Sequence, residues 1–154
     1  MNKNEILAAR IDEVMYESPW YGSNVNDLLS KITASQAIQR VNGQHNIAEL
    51  LHHMIQWKRF VYEKTFGDKT FDIVDNAINW KVFDALSEGE WAAMNLEYIS
   101  VTSDLVNGLN NLSLSIYAKT VPGRKYNYEH LLYGIVDHDI YHLGQIALMQ
   151  KMIV

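Results

Sequence analysis

The stretch that decides the fold runs from Asn127 to Met152 and reads NYEHLLYGIVDHDIYHLGQIALMQKM. Its apolar residues recur at spacings of three and four, the period of one helix face. Asn127 is a favoured N-cap, so the pattern predicts a single long helix from there to about Met152. With His138 at zero on a helical wheel, His142 falls at roughly 40°. Leu131, Ile135, Ile146 and Met149 all fall between about 20° and 80°, so an apolar stripe from about 0° to 80° includes both histidines.

This histidine pair permits two interpretations. A spacing of four residues places the two imidazoles one turn apart on one face, so both can reach a single metal ion. A histidine on an apolar stripe is more often a hydrogen-bonded core residue. Two of them together are hard to satisfy without a metal or a carboxylate between them, yet two ligands do not complete a metal site.

A third ligand is available from the dipeptide His52-His53. On the wheel of that segment His53 falls at roughly 300°, flanking a core-facing stripe within about 40° of Leu50. His52 falls at roughly 200°, on the polar face. The wheel thus selects His53 as the inward residue and predicts that His52 is solvated. The stripe contains Met54, Trp57 and Val61, and the polar face contains Gln56, Arg59 and Glu63.

Three further long helices are predicted ahead of the last one. The first covers residues 4–17, the second runs from the cap Asn46 to Phe66, and the third runs from the cap Ser87 to the Asn107 region. Asn46 with Glu49, and Ser87 with Glu90, have the spacing of capping boxes. Residues 24–40 predict shorter helical turns, and residues 112–126 an extended connection. The expected fold is an all-α four-helix bundle forming one domain, 1–154, with extra helical turns between the first and second long helices.

Composition excludes several functions. The chain has no cysteine, so disulfides, thiolate ligands and a cysteine nucleophile are ruled out. A net charge of −5 without a basic cluster argues against a nucleic-acid partner. No apolar run or signal peptide predicts contact with a membrane, so we expect a cytoplasmic protein. No nucleophile-elbow, phosphate-loop or dinucleotide motif is present.

Two segments, Asn46–Trp57 and His138–Ile146, resemble the signatures of the DinB-like superfamily (DinB/YfiT-like metalloenzymes). The first ends in a histidine four residues before a tryptophan, and the second is a His-x-x-x-His followed by Gly-Gln. The Trp20-Tyr21-Gly22 turn and the Glu90-Trp91 start are also similar to that family. The resemblance spans nearly the whole chain.

The resemblance implies a four-helix bundle in which His53, His138 and His142 hold a divalent metal ion. Imidazole suits zinc or nickel, and iron or manganese can also bind such a site. Relatives include transferases of low-molecular-weight thiols, a thiol-dependent isomerase and proteins called hydrolases, and they are often dimers. The resemblance therefore implies a homodimer that acts on a small-molecule substrate such as a thiol. The alternatives are a metal-dependent hydrolase and a non-catalytic metal-binding module linked to stress responses.

Two more residues are candidates for the catalytic surroundings. Three neutral imidazoles leave metal positions open for water or substrate, which is the arrangement of catalytic sites. Gln145, at roughly 340° on the wheel, is placed to orient a ligand or the bound water. Asp139, at about 100°, is placed to accept a bond from an imidazole N–H. The alternatives are a helix-packing amide and a solvated carboxylate. The remaining histidines, His45 and His130, are expected on the surface.

Overall fold

The computed structural model describes residues 1–73 and 75–153, which contain seven α-helices and no β-strand. The helices are α1 (Lys3–Tyr16), α2 (Val25–Leu29), α3 (Ala34–Ala37), α4 (Ile47–Phe66), α5 (Asn76–Asn79), α6 (Glu88–Leu109) and α7 (Tyr128–Met152). A single 3-10 turn, Leu114–Ile116, lies between α6 and α7. The predicted all-α fold is confirmed, and so are the short helices between the first two long ones. Helix α5 was not predicted.

The four long helices form the bundle. Helix α4 packs against α6 and α7, and α1 packs against the same two helices. The pairs α1–α4 and α6–α7 therefore lie across the diagonals of the bundle. Because α4 and α7 are neighbours, a side chain on the inner face of one can reach the inner face of the other.

The helix starts follow local capping chemistry. Ser87 and Glu90 form the predicted capping box at α6, and Asn127 accepts a hydrogen bond from the backbone N–H of His130 at α7. At α4 only half of the predicted box forms. The Asn46 side chain accepts from the Glu49 N–H at 2.9 Å, but the Glu49 carboxylate is bonded to Arg40 and His45 instead of the Asn46 backbone. Stronger charged partners displace the local interaction here.

A buried ion pair joins α4 to α7 inside the bundle. The ammonium of Lys58 lies 2.8 Å from a carboxylate oxygen of Asp139, and the two side chains are 1% and 4% exposed. The same ammonium lies 4.7 Å from the ring centroid of Tyr98, which is fully buried on α6. Two charges this deep in a core hold together because each would be strongly unfavourable without the other.

None of the helices in the described part of the chain is both long and apolar enough to cross a lipid bilayer.

Replacing one member of the buried ion pair should destabilise the fold strongly. Lys58→Met leaves the Asp139 carboxylate buried without its counter-charge, so the free energy of unfolding should fall by about 3–5 kcal/mol. Urea unfolding of the chelator-treated protein measures this change. The control Lys119→Met alters an exposed lysine and should change the free energy by less than about 0.5 kcal/mol. Equal effects of the two variants would contradict the assignment, whereas Lys58→Met combined with Asp139→Leu should recover part of the loss.

Candidate metal centre

Three imidazoles converge between α4 and α7. The Nε2 atom of His138 lies 3.1 Å from Nε2 of His53 and 3.1 Å from Nε2 of His142. The potential ligand atoms of the three residues all lie within 4.8 Å of one another. His53 and His142 are buried, and His138 is partly buried. The structure thus brings together the three histidines that the sequence selected, and His52 lies outside the cluster with its Nε2 2.9 Å from the Ile78 carbonyl oxygen.

The spacing of these nitrogens fits a metal ion. Nitrogen ligands bind zinc at about 2.0–2.1 Å, so two of them stand about 3.3 Å apart at a tetrahedral angle and about 2.9 Å apart at a right angle. The observed 3.1 Å lies between these values for both pairs. The pairs His53–His138 and His138–His142 therefore present their nitrogens at distances that one ion can span.

Hydrogen bonds at Nδ1 of two rings determine which ring nitrogen carries no hydrogen. His53 Nδ1 lies 2.6 Å from the Asn79 side-chain oxygen, and His142 Nδ1 lies 2.6 Å from the Gln145 side-chain oxygen. Since an amide oxygen only accepts, the ring proton sits on Nδ1 in both histidines. Each Nε2 then carries no hydrogen, and its lone pair is directed at the centre of the cluster. Imidazole binds a metal ion in this form.

Protons alone cannot satisfy this arrangement. His138 Nε2 carries at most one hydrogen, which can be donated to either His53 or His142 but not to both. At least one bare Nε2 is then left facing another nitrogen at 3.1 Å. The buried Nδ1 of His138 has no hydrogen-bond partner among the described residues. A cation at the centre could accept the lone pairs of all three Nε2 atoms.

The surroundings keep the rings neutral. Burial first, and then the nearby His142, lower the pKa of His53 to about 4. Burial and the two neighbouring histidines lower the pKa of His138 to about 3. Burial also lowers the pKa of His142, although its bond to Gln145 partly offsets this effect. Neutral imidazole is the form that binds metals, so the site favours ligation at ordinary pH.

The two other predicted site residues lie in different surroundings. Gln145 contacts the cluster directly, because its side-chain oxygen holds the His142 ring. Asp139 is buried and pairs with Lys58, so it is neither the solvated carboxylate nor the imidazole partner that the sequence allowed. At about 100° from His138 on the wheel, Asp139 faces the core beside α4. Burial raises the pKa of Asp139, and the Lys58 charge opposes this shift.

Sequence reasoning missed two residues of the site, Asn79 and Trp80. The indole of Trp80 stacks on His53 with centroids 3.9 Å apart and planes 10° from parallel. Trp57 also packs edge-on against His53, with ring centroids 6.3 Å apart. Asn79 ends α5 and Trp80 follows it, 26 and 27 residues beyond His53 and without a periodic pattern. Trp80 also lines a cleft beside His142.

A cleft of about 490 Å³ opens beside His142 and Gln145. Its wall combines the loop before α4, Trp80 and the C-terminal half of α7. The lining residues carry no Asp, Glu, Lys or Arg: they are Val41, Asn42, Gln44, His45, Leu50, Trp80, Tyr141, His142, Gln145, Leu148, Met149 and Met152. A cleft of this size and polarity suits a small, largely uncharged molecule.

Comparison with known protein families gives one match. The family model described as the DinB superfamily matches residues 22–146, a range that includes all three histidines. The chain belongs to the DinB superfamily. No curated protein and no solved structure matched it significantly.

The metal-free protein should lose stability as the pH falls from about 6.5 toward 3. Unfolded histidine has a pKa of about 6.5, whereas folded His53 and His138 titrate at about 4 and about 3, so the unfolded chain binds more protons across this window. Each histidine contributes a slope of at most about 1.4 kcal/mol per pH unit. Urea unfolding between pH 7 and pH 5, in chelator, measures the slope. His138→Leu should flatten it, and an unchanged slope in that variant would refute the account.

Proposed function

We propose that this protein is a metalloenzyme that holds one divalent ion through Nε2 of His53, His138 and His142 and activates a small thiol or a water molecule there. The observation that carries the proposal is the convergence of three imidazole nitrogens beside a cleft large enough for a small molecule. Membership of the DinB superfamily supports it.

The donor set narrows the choice of metal. Three imidazole nitrogens suit zinc and nickel best, and they also bind iron and manganese. A bound divalent ion would lower the pKa of a coordinated thiol or water and so supply a nucleophile near neutral pH. Among the chain's own residues, Asn79 and Gln145 orient two of the rings, and the cleft beside His142 gives a small molecule room next to the site.

Thiol transfer is the reaction that we propose first. The chain contains no cysteine, so a sulfur nucleophile must arrive with a substrate. The cleft wall carries no formal charge, which favours a thiol or an electrophile with an uncharged body over a strongly anionic one. Hydrolysis by activated water uses the same site. A metal-binding module without turnover is the third possibility, and the activity test below separates it from the other two.

The ligand choice is testable with neighbouring histidines. His53→Ala should remove most of the bound metal, because it deletes one of three nitrogens at the centre. His52→Ala should retain it, since that ring contacts the Ile78 carbonyl oxygen and not the cluster. Elemental analysis of the two purified variants, with wild type alongside, gives the stoichiometry. Loss of metal in His52→Ala with full occupancy in His53→Ala would reverse the assignment.

The activity should depend on the triad. Metal-loaded wild type should conjugate thiols to a common electrophile faster than His142→Ala does, by at least about 100-fold if the ion is the main activator. The thiols to compare are bacillithiol, mycothiol, glutathione, cysteine and coenzyme A, together with uncharged alkyl thiols. His130→Ala changes an exposed histidine of the same helix and is the matched control. Equal rates for wild type and His142→Ala would remove the transferase proposal, and further failure with esters and amides would favour the non-catalytic module.

A further inference from the structure

A second histidine–carboxylate pair lies in the wall of the cleft, outside the triad. His45 Nδ1 is 2.7 Å from a carboxylate oxygen of Glu49. The Glu49 side chain is only 2% exposed, whereas that of His45 is 49% exposed. One ring nitrogen is therefore held by a buried carboxylate, and the rest of the ring forms part of the wall that also contains His142 and Gln145.

The carboxylate of this pair is ionised. Burial alone would raise the pKa of Glu49, but hydrogen bonds from Arg40 and His45, and from the Phe83 backbone N–H, outweigh it and lower the pKa below its usual value. Arg40 contacts both carboxylate oxygens. An ionised carboxylate accepts the Nδ1 proton of a neutral imidazole, which leaves Nε2 as a lone pair.

Trp80 sets the position of His45 relative to the triad. The His45 ring stacks on the indole with centroids 3.9 Å apart and planes 9° from parallel, and His53 stacks on the same indole with nearly the same geometry. The two imidazoles show no ring contact with each other, so they cover opposite faces of the indole. His45 thus lies two stacking distances from a triad histidine, close to the centre but separate from it.

We propose that His45 is a catalytic residue of the reaction in this cleft, with Nε2 accepting the proton of the incoming nucleophile and Glu49 positioning the ring. This inference rests on the proposed function. Among the residues lining the cleft, apart from the triad member His142, His45 alone has a side chain of the type that exchanges protons near neutral pH. The sequence had placed it on the surface without a role.

The proton and the electron pairs balance without another reactant. The S–H bond of the thiol breaks, its electron pair stays on sulfur, and the proton passes to Nε2 of His45. Sulfur then forms a bond to the electrophilic carbon. The bond from that carbon to the leaving group breaks with its electron pair on the leaving group, which takes the proton back from Nε2. His45 ends the cycle neutral.

The charged and titratable groups around His45 come from several elements. Glu49 of α4 contacts it, and Arg40 of the preceding loop contacts Glu49. Asp84, from the segment ahead of α6, lies 3.6 Å from Arg40 and is exposed. The titratable residues of α7 in the same wall are His142 and Tyr141. Among the described residues, Glu49 is the one acidic group in contact with the ring.

The alternative is a purely structural pair that fastens the loop before α4. Two variants separate the roles. His45→Gln removes the ring, and His45→Phe keeps a flat ring that can stack on Trp80 but cannot carry a proton. His130→Gln is the control for loss of a histidine elsewhere. Metal content should match wild type in all three.

The kinetic test uses two thiols at pH 7 with one electrophile, and each thiol carries an aromatic ring and no ionisable group besides its sulfur. With 2-phenylethanethiol, which is mostly protonated, both His45 variants should be slower than wild type by about 10²–10⁴-fold. With 4-nitrothiophenol, which is already ionised, they should stay close to wild type. The deficit with the alkyl thiol should also shrink as the pH rises toward that thiol's own pKa, because hydroxide then does the work of the base.

A second measurement does not depend on turnover. Long-range ¹H–¹⁵N NMR of the zinc-loaded protein should show that the neutral His45 ring carries its proton on Nδ1 and none on Nε2. A neutral ring with its proton on Nε2 would overturn the proposal. So would wild-type rates in His45→Phe, since stacking alone would then explain the residue.

The results distinguish a failure of the proposed function from a failure of the role of His45. If metal-loaded wild type conjugates no thiol and hydrolyses no ester or amide, the proposed function fails and the inference falls with it. If wild type is active and depends on His142, while both His45 variants match it with 2-phenylethanethiol, the function stands and the role of His45 is refuted.

Discussion

The packing of α4 against α7 holds both the histidine cluster and the buried ion pair in place. His53 and His138 are 85 residues apart in the chain and meet only because these two helices are neighbours. In the same interface, Lys58 reaches Asp139, the residue after His138. A slip of one helix by a single turn, about 5.4 Å, would separate the ion pair and the imidazoles together. The same alignment of α4 and α7 along their axes therefore positions both the buried ion pair and the histidine cluster.

Charge is distributed so that the centre of the site stays neutral. The buried ionic groups near it are compensated elsewhere, Asp139 by Lys58 and Glu49 by Arg40. The three imidazoles are neutral, and the cleft wall carries no formal charge. A divalent ion held there would keep its full positive charge toward the open positions. Such a centre stabilises an anion at those positions, which is what the formation of a thiolate or a hydroxide requires.

Much of the fold and the cluster of His53, His138 and His142 could be predicted from sequence, because both depend on helical periodicity. The helical wheel separated His53 from His52 because the distinction depends only on the direction of each side chain from the helix axis. A wheel does not predict which side chains of other elements a residue contacts. The wheel could not show that Lys58 faces Asp139. The capping rule expected Glu49 to bond its own helix, where Arg40 and His45 compete. Asn79 and Trp80 reach the site through a long loop with no repeating pattern.

The stacking of Trp80 between His45 and His53 makes an aromatic ring the spacer between two chemical groups. An aromatic ring has a constant thickness, whereas the space filled by a flexible side chain changes with each methylene group. A substitution at this position either keeps a flat ring, and with it the separation, or collapses the stack altogether. Trp80 therefore sets the distance between the His45 and His53 rings. We expect Tyr or Phe at this position to keep that distance and an aliphatic residue to lose it.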